Sequence, residues 1–311
     1  MWMQAQKDFR IQPDSFLYNG DMIWHRTQLE QNREPGENSE APPSHTRRQV
    51  LAYCASSLAS LAFVQTNTET RLLDITRHTL TVKHLDRPMR IVQLTDIHRS
   101  QFVPELFVQH VVAAANQLNP DLVFLTGDFV TRTSGYAESC MRPLAALRAK
   151  IGKFAVLGNH DYWCDGGNGG PVIHDWLEQT EIDVLTNRSV KLSNGLRLVG
   201  VDDLMAGVPN YTLAFEDVKS NEPVVVMSHN PGTFYILCRQ QCLTIAGHTH
   251  GGQLYVPGVS NLLVGNRFLR GWYRFNEQPG SLYISRGLGT IHVPMRLCAM
   301  PELAVFDLTP A

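Results

Sequence analysis

The chain has 311 residues, of which 43% are hydrophobic, enough for one large α/β domain and little more. Its formal net charge is −2, and no basic cluster interleaved with aromatic residues occurs, so nucleic acid is not an expected partner. The six cysteines are scattered and lack the dense spacing of a disulfide scaffold.

The first 66 residues differ in character from the rest. Residues 1–46 are polar and rich in Pro, Gly and Glu, which predicts a disordered extension. Residues 47–66 begin with Arg47-Arg48 and continue into the modest apolar run from Val50 to Val64, which resembles a twin-arginine export signal. About 15 apolar residues are short for a spanning helix. The segment is therefore predicted to be a signal or membrane-associating segment, the alternative being an amphipathic or buried helix that packs on the domain.

From residue 69 to residue 311 the pattern predicts one compact domain. We expect strands over 75–85 and 90–95, a helix over 107–118, and further helices over 137–150 and 172–180. Residues 191–199 resemble a β-hairpin, with Asn194-Gly195 as a type I′ turn. Five short apolar runs, each ended by a polar block, are typical of buried strands; they begin at Ile91, Leu122, Phe154, Val224 and Leu243.

Metal-binding side chains follow these five runs. In open α/β sheets the carboxyl ends of the strands form the ligand site, so we expect the side chains to meet there. Two pairs are spaced i and i+2, which places both members on one face of an extended chain. The seven donors are Asp96, His98, Asp128, Asn159, His229, His248 and His250.

The donor set predicts a site for two metal ions. Carboxylate, amide and imidazole donors suit Mn, Fe or Zn, and no thiolate indicates a closed structural zinc site. Seven donors exceed what one ion needs, so two ions that share one carboxylate account for the set best. Taken singly, each block has an ordinary interpretation as a helix cap, turn or polar loop. Their occurrence in one order, at five strand ends, favours the metal centre.

The order D-x-H, G-D, G-N-H-D, H and G-H-x-H resembles the calcineurin-like metallophosphoesterase superfamily, over roughly residues 89 to 308. Four further stretches look like those of one bacterial branch of this superfamily: residues 247–253, residues 282–290, Pro294-Met-Arg-Leu and Pro301-Glu302. That branch contains twin-arginine-exported phosphodiesterases and UDP-2,3-diacylglucosamine pyrophosphohydrolases. The resemblance implies an α/β fold of two facing mixed β-sheets flanked by helices. Arg99-Ser100 departs from many relatives, which continue with an apolar residue and Gly.

The resemblance also implies roles for these residues. The site would bind two divalent ions, most simply manganese, with zinc or iron as alternatives. The first ion would be held by Asp96, His98, Asp128 and His250. The second would be held by Asp128, Asn159, His229 and His248. A metal-bound water would be the nucleophile. His160 would contact the phosphoryl oxygen or protonate the leaving group, and Asp161 would orient His160. Arg99 is either a phosphate-binding or a solvated loop arginine.

The function expected from the sequence is hydrolysis of a free or lipid-linked phosphodiester or pyrophosphate at the cell envelope. Because Arg47 and Arg48 precede the apolar run, the positive-inside rule favours an exported domain if the run spans the membrane. The alternative within enzymes is a UDP-2,3-diacylglucosamine pyrophosphohydrolase of lipid A synthesis on the cytoplasmic face of the inner membrane. The alternative of another class is a non-catalytic metal-binding scaffold. The sequence leaves the oligomeric state open.

Overall fold

A computed structural model describes residues 46–260 and 268–311. The predicted disordered extension, apart from its last residue, lies outside the described residues. The strands are β1 (Asp74–Val82), β2 (Met89–Leu94), β3 (Leu122–Thr126), β4 (Gly152–Val156), β5 (Asp183–Val184), β6 (Arg188–Lys191), β7 (Arg197–Gly200), β8 (Val224–Met227), β9 (Cys242–Ala246), β10 (Gly271–Tyr273), β11 (Ser281–Ile284) and β12 (Glu302–Pro310). The helices are α1 (Arg47–Glu69), α2 (Glu105–Gln117), α3 (Ala137–Leu144), α4 (Asn159–Gly167), α5 (Gly169–Gln179), α6 (Tyr211–Ala214) and α7 (Phe234–Leu237).

Two six-stranded sheets form the core of the domain. The first has the order β1-β12-β2-β3-β4-β5, and the second has the order β10-β11-β9-β8-β7-β6. Strands β2 to β5 are parallel, as are β7, β8, β9 and β11, whereas β12 runs antiparallel to β2. Both sheets are therefore mixed, and the predicted fold class is confirmed.

Alternate side chains of the central strands separate into two hydrophobic layers. Ile91 and Phe124 pack between the sheets with Ile245 of β9, whereas Val92 and Val123 face the layer that contains α2, α3 and α5. A third cluster covers the outer face of the second sheet, against α6 and α7. Because both faces of the parallel strands are buried, their sequences are continuously apolar, which is why they were recognisable.

Helix α1 covers the predicted twin-arginine-like segment. The described residues 46–61 belong to a different unit from residues 62–311. Several apolar side chains of this helix are exposed, among them Leu51, Leu61 and Val64. Within residues 46–260 and 268–311, no helix combines the length and the apolar character needed to cross a bilayer.

Two local predictions were wrong. The helix predicted over 137–150 ends at Leu144, and the next residues form tight turns with i to i+3 bonds, such as Ala146 N to Pro143 O at 3.0 Å. Pro143 removes one helical donor, which favours an early end. The hairpin exists, but Asn194 lacks the positive φ that a type I′ turn requires; only Gly195 has it, at +86°. The loop is instead closed by a hydrogen bond from Leu192 N to Leu196 O at 2.8 Å.

Candidate metal centre

All seven predicted donors lie at the carboxyl ends of parallel strands from both sheets. The first sheet contributes Asp96 and His98 after β2, Asp128 after β3, and Asn159 after β4. The second sheet contributes its three histidines after β8 and β9, at positions 229, 248 and 250. Six of the seven are buried, and His248 is partly exposed. The parallel arrangement thus brings together side chains that are up to 154 positions apart in the chain.

The donors form two groups, within each of which the ligand atoms lie within 4.8 Å of one another. Asp96, His98 and His250 form the first group. His98 Nε2 lies 3.0 Å from His250 Nε2, and His250 Nε2 lies 3.5 Å from Asp96 Oδ1. These lone-pair-bearing atoms converge on one point, which is the arrangement that a cation requires.

The second group consists of Asp128, His229 and His248. His229 Nε2 lies 3.2 Å from both Asp128 Oδ2 and His248 Nδ1. The same Asp128 oxygen lies 3.3 Å from His98 Nε2 of the first group. Asp128 is therefore the residue that connects the two groups, as expected of a carboxylate shared by two ions.

The metal centre has a strained backbone. Five of the seven donors have a positive φ; they are Asp96, His98, Asp128, His248 and His250, with φ between 48° and 74°. Side chains other than Gly rarely adopt this conformation, although Asp, Asn and His tolerate it best. Glycines permit the close packing, since a Cβ on Gly158 would lie 2.3 Å from Asp128 Oδ1. Strain of this kind concentrates at functional sites.

Two histidines are held by hydrogen bonds on the nitrogen that faces away from the centre. His229 Nδ1 lies 2.8 Å from the carbonyl oxygen of Thr126, so Nδ1 carries the proton and Nε2 is free to bind a metal ion. His98 Nδ1 lies 2.7 Å from Thr131 Oγ1. Such partners fix the orientation of metal-ligating imidazoles.

The residues present fit two divalent cations. Asn159 Oδ1 is buried and has no hydrogen-bond partner among the described residues, as expected of an oxygen reserved for a metal ion. Burial opposes protonation of His229, yet the carboxylates of Asp128 and Asp96 raise its pKa to about 10. Burial would raise the pKa of Asp128, but His229 and His98 hold it well below its usual value. The two carboxylates of the centre, Asp96 and Asp128, thus attract positive charge at His229, as they would attract a cation.

His160 lies beside the first group. Its ring centroid is 5.0 Å from that of His98 and 5.5 Å from that of Trp163. Its backbone N–H donates to Asp128 Oδ1 at 2.8 Å. Burial lowers the pKa of His160 to about 4, so at neutral pH its imidazole is uncharged and can donate one N–H.

Asp161 contacts the backbone rather than the ring of His160. Its carboxylate accepts N–H groups from Asp128 at 2.8 Å, Phe129 at 2.7 Å and Gly158 at 2.9 Å. Both oxygens are engaged by these amides, and the hydrogen bonds of the described residues include none between Asp161 and His160. In the structure the carboxylate of Asp161 therefore holds the two loops that carry Asp128 and Asn159, and the role expected for it toward His160 stays a prediction.

Arg99 points into its own loop. Its guanidinium donates to the carbonyl oxygens of Ser100 and Val103 and lies over the ring of Tyr136, 5.0 Å from the centroid. The structure therefore places Arg99 where it braces its own loop.

Three buried charged residues near the centre were not singled out from the sequence. Asp202 and Asp203 follow β7, at the same edge of the second sheet as His229. Arg296 is fully buried, donates to the carbonyl oxygens of Gly289 and Ala299, and has Nη2 3.5 Å from His250 Nδ1. The apolar run before Asp202 was a sufficient signal for a sixth strand end, but it was assigned only to the hairpin.

The fold and the two ligand groups are those expected of a metal-dependent phosphoric ester hydrolase. Residues 89–257 match the family described as calcineurin-like phosphoesterase. The chain belongs to the calcineurin-like phosphoesterase family.

Three relatives illustrate the similarity. An uncharacterized metallophosphoesterase of Helicobacter pylori is 30% identical over 73% of this chain, and the match spans 61% of that protein's length. Phosphodiesterase YaeI of Escherichia coli is 32% identical over 76% of this chain and 88% of its own. UDP-2,3-diacylglucosamine pyrophosphatase LpxG of Chlamydia trachomatis is 28% identical over 70% of this chain and 82% of its own.

Asp128→Ala is expected to remove the residue that connects the two groups. Two cations would then share the site with less negative charge between them. We expect loss of at least one bound metal ion and a fall in activity of several orders of magnitude, with the fold retained. Elemental analysis, circular dichroism and turnover measure this, with the exposed Asp217→Ala as a control. Full metal content and normal turnover in Asp128→Ala would disprove the shared site.

Proposed function

We propose that this protein hydrolyses a phosphodiester or pyrophosphate bond at the cell envelope, with two divalent ions as cofactors. The observation that carries the proposal is the convergence of two ligand groups on Asp128. Paired cations suit phosphoryl substrates because they neutralise oxygens on both sides of an in-line displacement at phosphorus and activate water. The names of YaeI and LpxG, a phosphodiesterase and a pyrophosphatase, support this substrate class.

The donor set supports particular roles for this chain's residues. Asp96, His98, Asp128 and His250 would hold one ion, and Asp128, Asn159, His229 and His248 would hold the other. Nitrogen and oxygen donors without thiolate favour manganese, with zinc and iron as alternatives. The uncharged imidazole of His160 would donate its N–H to a phosphoryl oxygen or to the departing oxygen. Trp163, 46% exposed, packs against that ring and limits its orientations.

A substrate panel tests the proposed reaction. Purified protein with Mn²⁺ would be assayed against bis-nitrophenyl phosphate, nitrophenyl phosphate and UDP-2,3-diacylglucosamine, with Asp128→Ala as the inactive control. We expect hydrolysis of the diester to exceed that of the monoester. Preference for UDP-2,3-diacylglucosamine would favour the lipid A enzyme, an alternative that the similarity to LpxG supports. Metal binding without hydrolysis of any of the three would favour the non-catalytic scaffold.

His160→Ala separates catalysis from metal binding. If His160 acts on the departing oxygen, kcat should fall by roughly 10²–10⁴-fold for alkyl esters and less for nitrophenyl esters, while both ions stay bound. The measurement is kcat against the pKa of the leaving group, together with metal content. Equal losses for all leaving groups would contradict a contact with the departing oxygen and indicate stabilisation of the phosphoryl oxygens. Loss of bound metal would contradict both.

We also propose that residues 47–66 act as a twin-arginine-like export signal. Arg47 and Arg48 open α1, and exposed apolar side chains follow, among them Leu51 and Leu61. A receptor reads such arginines as an address rather than as charge. Arg47→Lys combined with Arg48→Lys should therefore block export although the charge is unchanged, whereas Arg71→Lys outside the motif should not.

Cell fractionation and protection from external protease measure this. If the domain is protected in the wild type as well as in the double variant, export is contradicted. The cytoplasmic-face pyrophosphohydrolase would then become the leading function.

A further inference from the structure

A buried carboxylate lies beside the second ligand group without being one of its ligands. Strands β7 and β8 are parallel, with Gly200 opposite Met227, and Val201 N donates to Met227 O at 3.0 Å. This pairing extends past the ends of the strands and brings Asp203 to the sheet edge that carries His229. Because β9 pairs with β8 in the same direction, His248 lies at that edge too.

Within the described residues, only one of the two carboxylate oxygens of Asp203 accepts hydrogen bonds. Oδ1 accepts the backbone N–H groups of Met205 and Ala206, both at 2.8 Å, and so caps the following turn. Oδ2 is buried and has no hydrogen-bond partner among the described residues. The residue as a whole is 0% exposed. An unpaired buried carboxylate oxygen is costly unless positive charge lies nearby.

The turn alone does not account for an aspartate. Asparagine has the same capping oxygen, and it caps such turns without a charge that must be buried. The charge itself lies next to the second ligand group, because the pairing of β7 with β8 places Asp203 beside the loop that carries His229.

Asp203 is too far away to be a direct ligand. The atoms of Asp128, His229 and His248 lie within 4.8 Å of one another, and Asp203 is not part of that group. Its influence must therefore pass through the histidines and through the electric field.

We propose that Asp203 is a positioning residue that strengthens the ion site formed by Asp128, Asn159, His229 and His248. This inference rests on the proposed two-ion function. The carboxylate supplies negative charge at the sheet edge that carries the two imidazoles. Its Oδ2 has no hydrogen-bond partner among the described residues. The ion site formed by Asp96, His98 and His250 gains less, because none of these residues follows β8, the strand that pairs with β7.

Asp203→Asn tests the role because it keeps Oδ1 for the turn and removes the charge. Metal-free protein would be titrated with Mn²⁺ by calorimetry, with bound Mn²⁺ counted by electron paramagnetic resonance. We expect two ions in the wild type, and a 10–100-fold weaker affinity for one of them in the variant, the usual effect of losing a group behind a metal ligand. The other affinity should change less than about twofold, and Tm of the metal-free protein should stay close to the wild-type value. The matched control is Asp217→Asn, which removes one negative charge at an exposed position and should bind Mn²⁺ as the wild type does.

The outcomes separate the inference from the proposed function. Wild-type protein that binds fewer than two ions would overturn the two-ion function, and this inference with it. Two ions bound with unchanged affinities by Asp203→Asn would overturn the positioning role alone. A lower Tm of the metal-free variant with unchanged affinities would mean that Asp203 only caps the turn. If Asp203→Asn fails to fold, Asp203→Ser retains a capping oxygen without the charge, and the same two affinities decide.

Discussion

The carboxylate of Asp161 is the contact on which the geometry of the metal centre depends. It accepts backbone N–H groups on both sides of the gap between β3 and β4, from Asp128 and from Gly158. These two loops carry the shared carboxylate and the amide ligand, so their separation is fixed by one buried side chain. Hydrogen bonds to a charged acceptor are about twice as strong as neutral ones. Burial and, after it, the Asp128 carboxylate nevertheless raise the pKa of Asp161 above its usual value.

The second sheet is brought to the same point by other contacts. Gln93 of β2 donates from Nε2 to Thr126 Oγ1 at 2.8 Å and to the carbonyl oxygen of Ala246, at the end of β9, at 3.0 Å. It thereby joins the two sheets directly beneath the ligands. Above them, Asp96 accepts the backbone N–H of His248 with both carboxylate oxygens, each at 3.0 Å. The strained ligand backbones, on the order of 1–3 kcal/mol each, persist because such contacts determine them from several sides.

Much of this could be predicted from the sequence, for a physical reason. Strands buried on both faces are continuously apolar, and each ends at a polar block, so the five central strands and the seven candidate donors were recognisable. The arrangement in two facing sheets was implied by the family resemblance. Asp161 was recognised by position but not by role, because a hydrogen bond to backbone amides 33 residues away leaves no pattern in the chain. Arg99 was ambiguous for the same reason, since its partners are carbonyl oxygens of its own loop. Arg296 is visible only in three dimensions, where carbonyl oxygens from several loops surround it.

The ligand set also explains why the site suits an anionic substrate. Only Asp96 and Asp128 among the seven donors carry negative charge, whereas the histidines and Asn159 are neutral ligands. Two divalent cations held there would leave an excess of positive charge, because the donors supply only two negative charges. A site rich in carboxylates would hold the ions more tightly but would repel a phosphoryl group. A carboxylate placed at the sheet edge that carries the histidines, as Asp203 is, strengthens ion binding while it stays farther from the substrate, because Coulomb repulsion falls with distance.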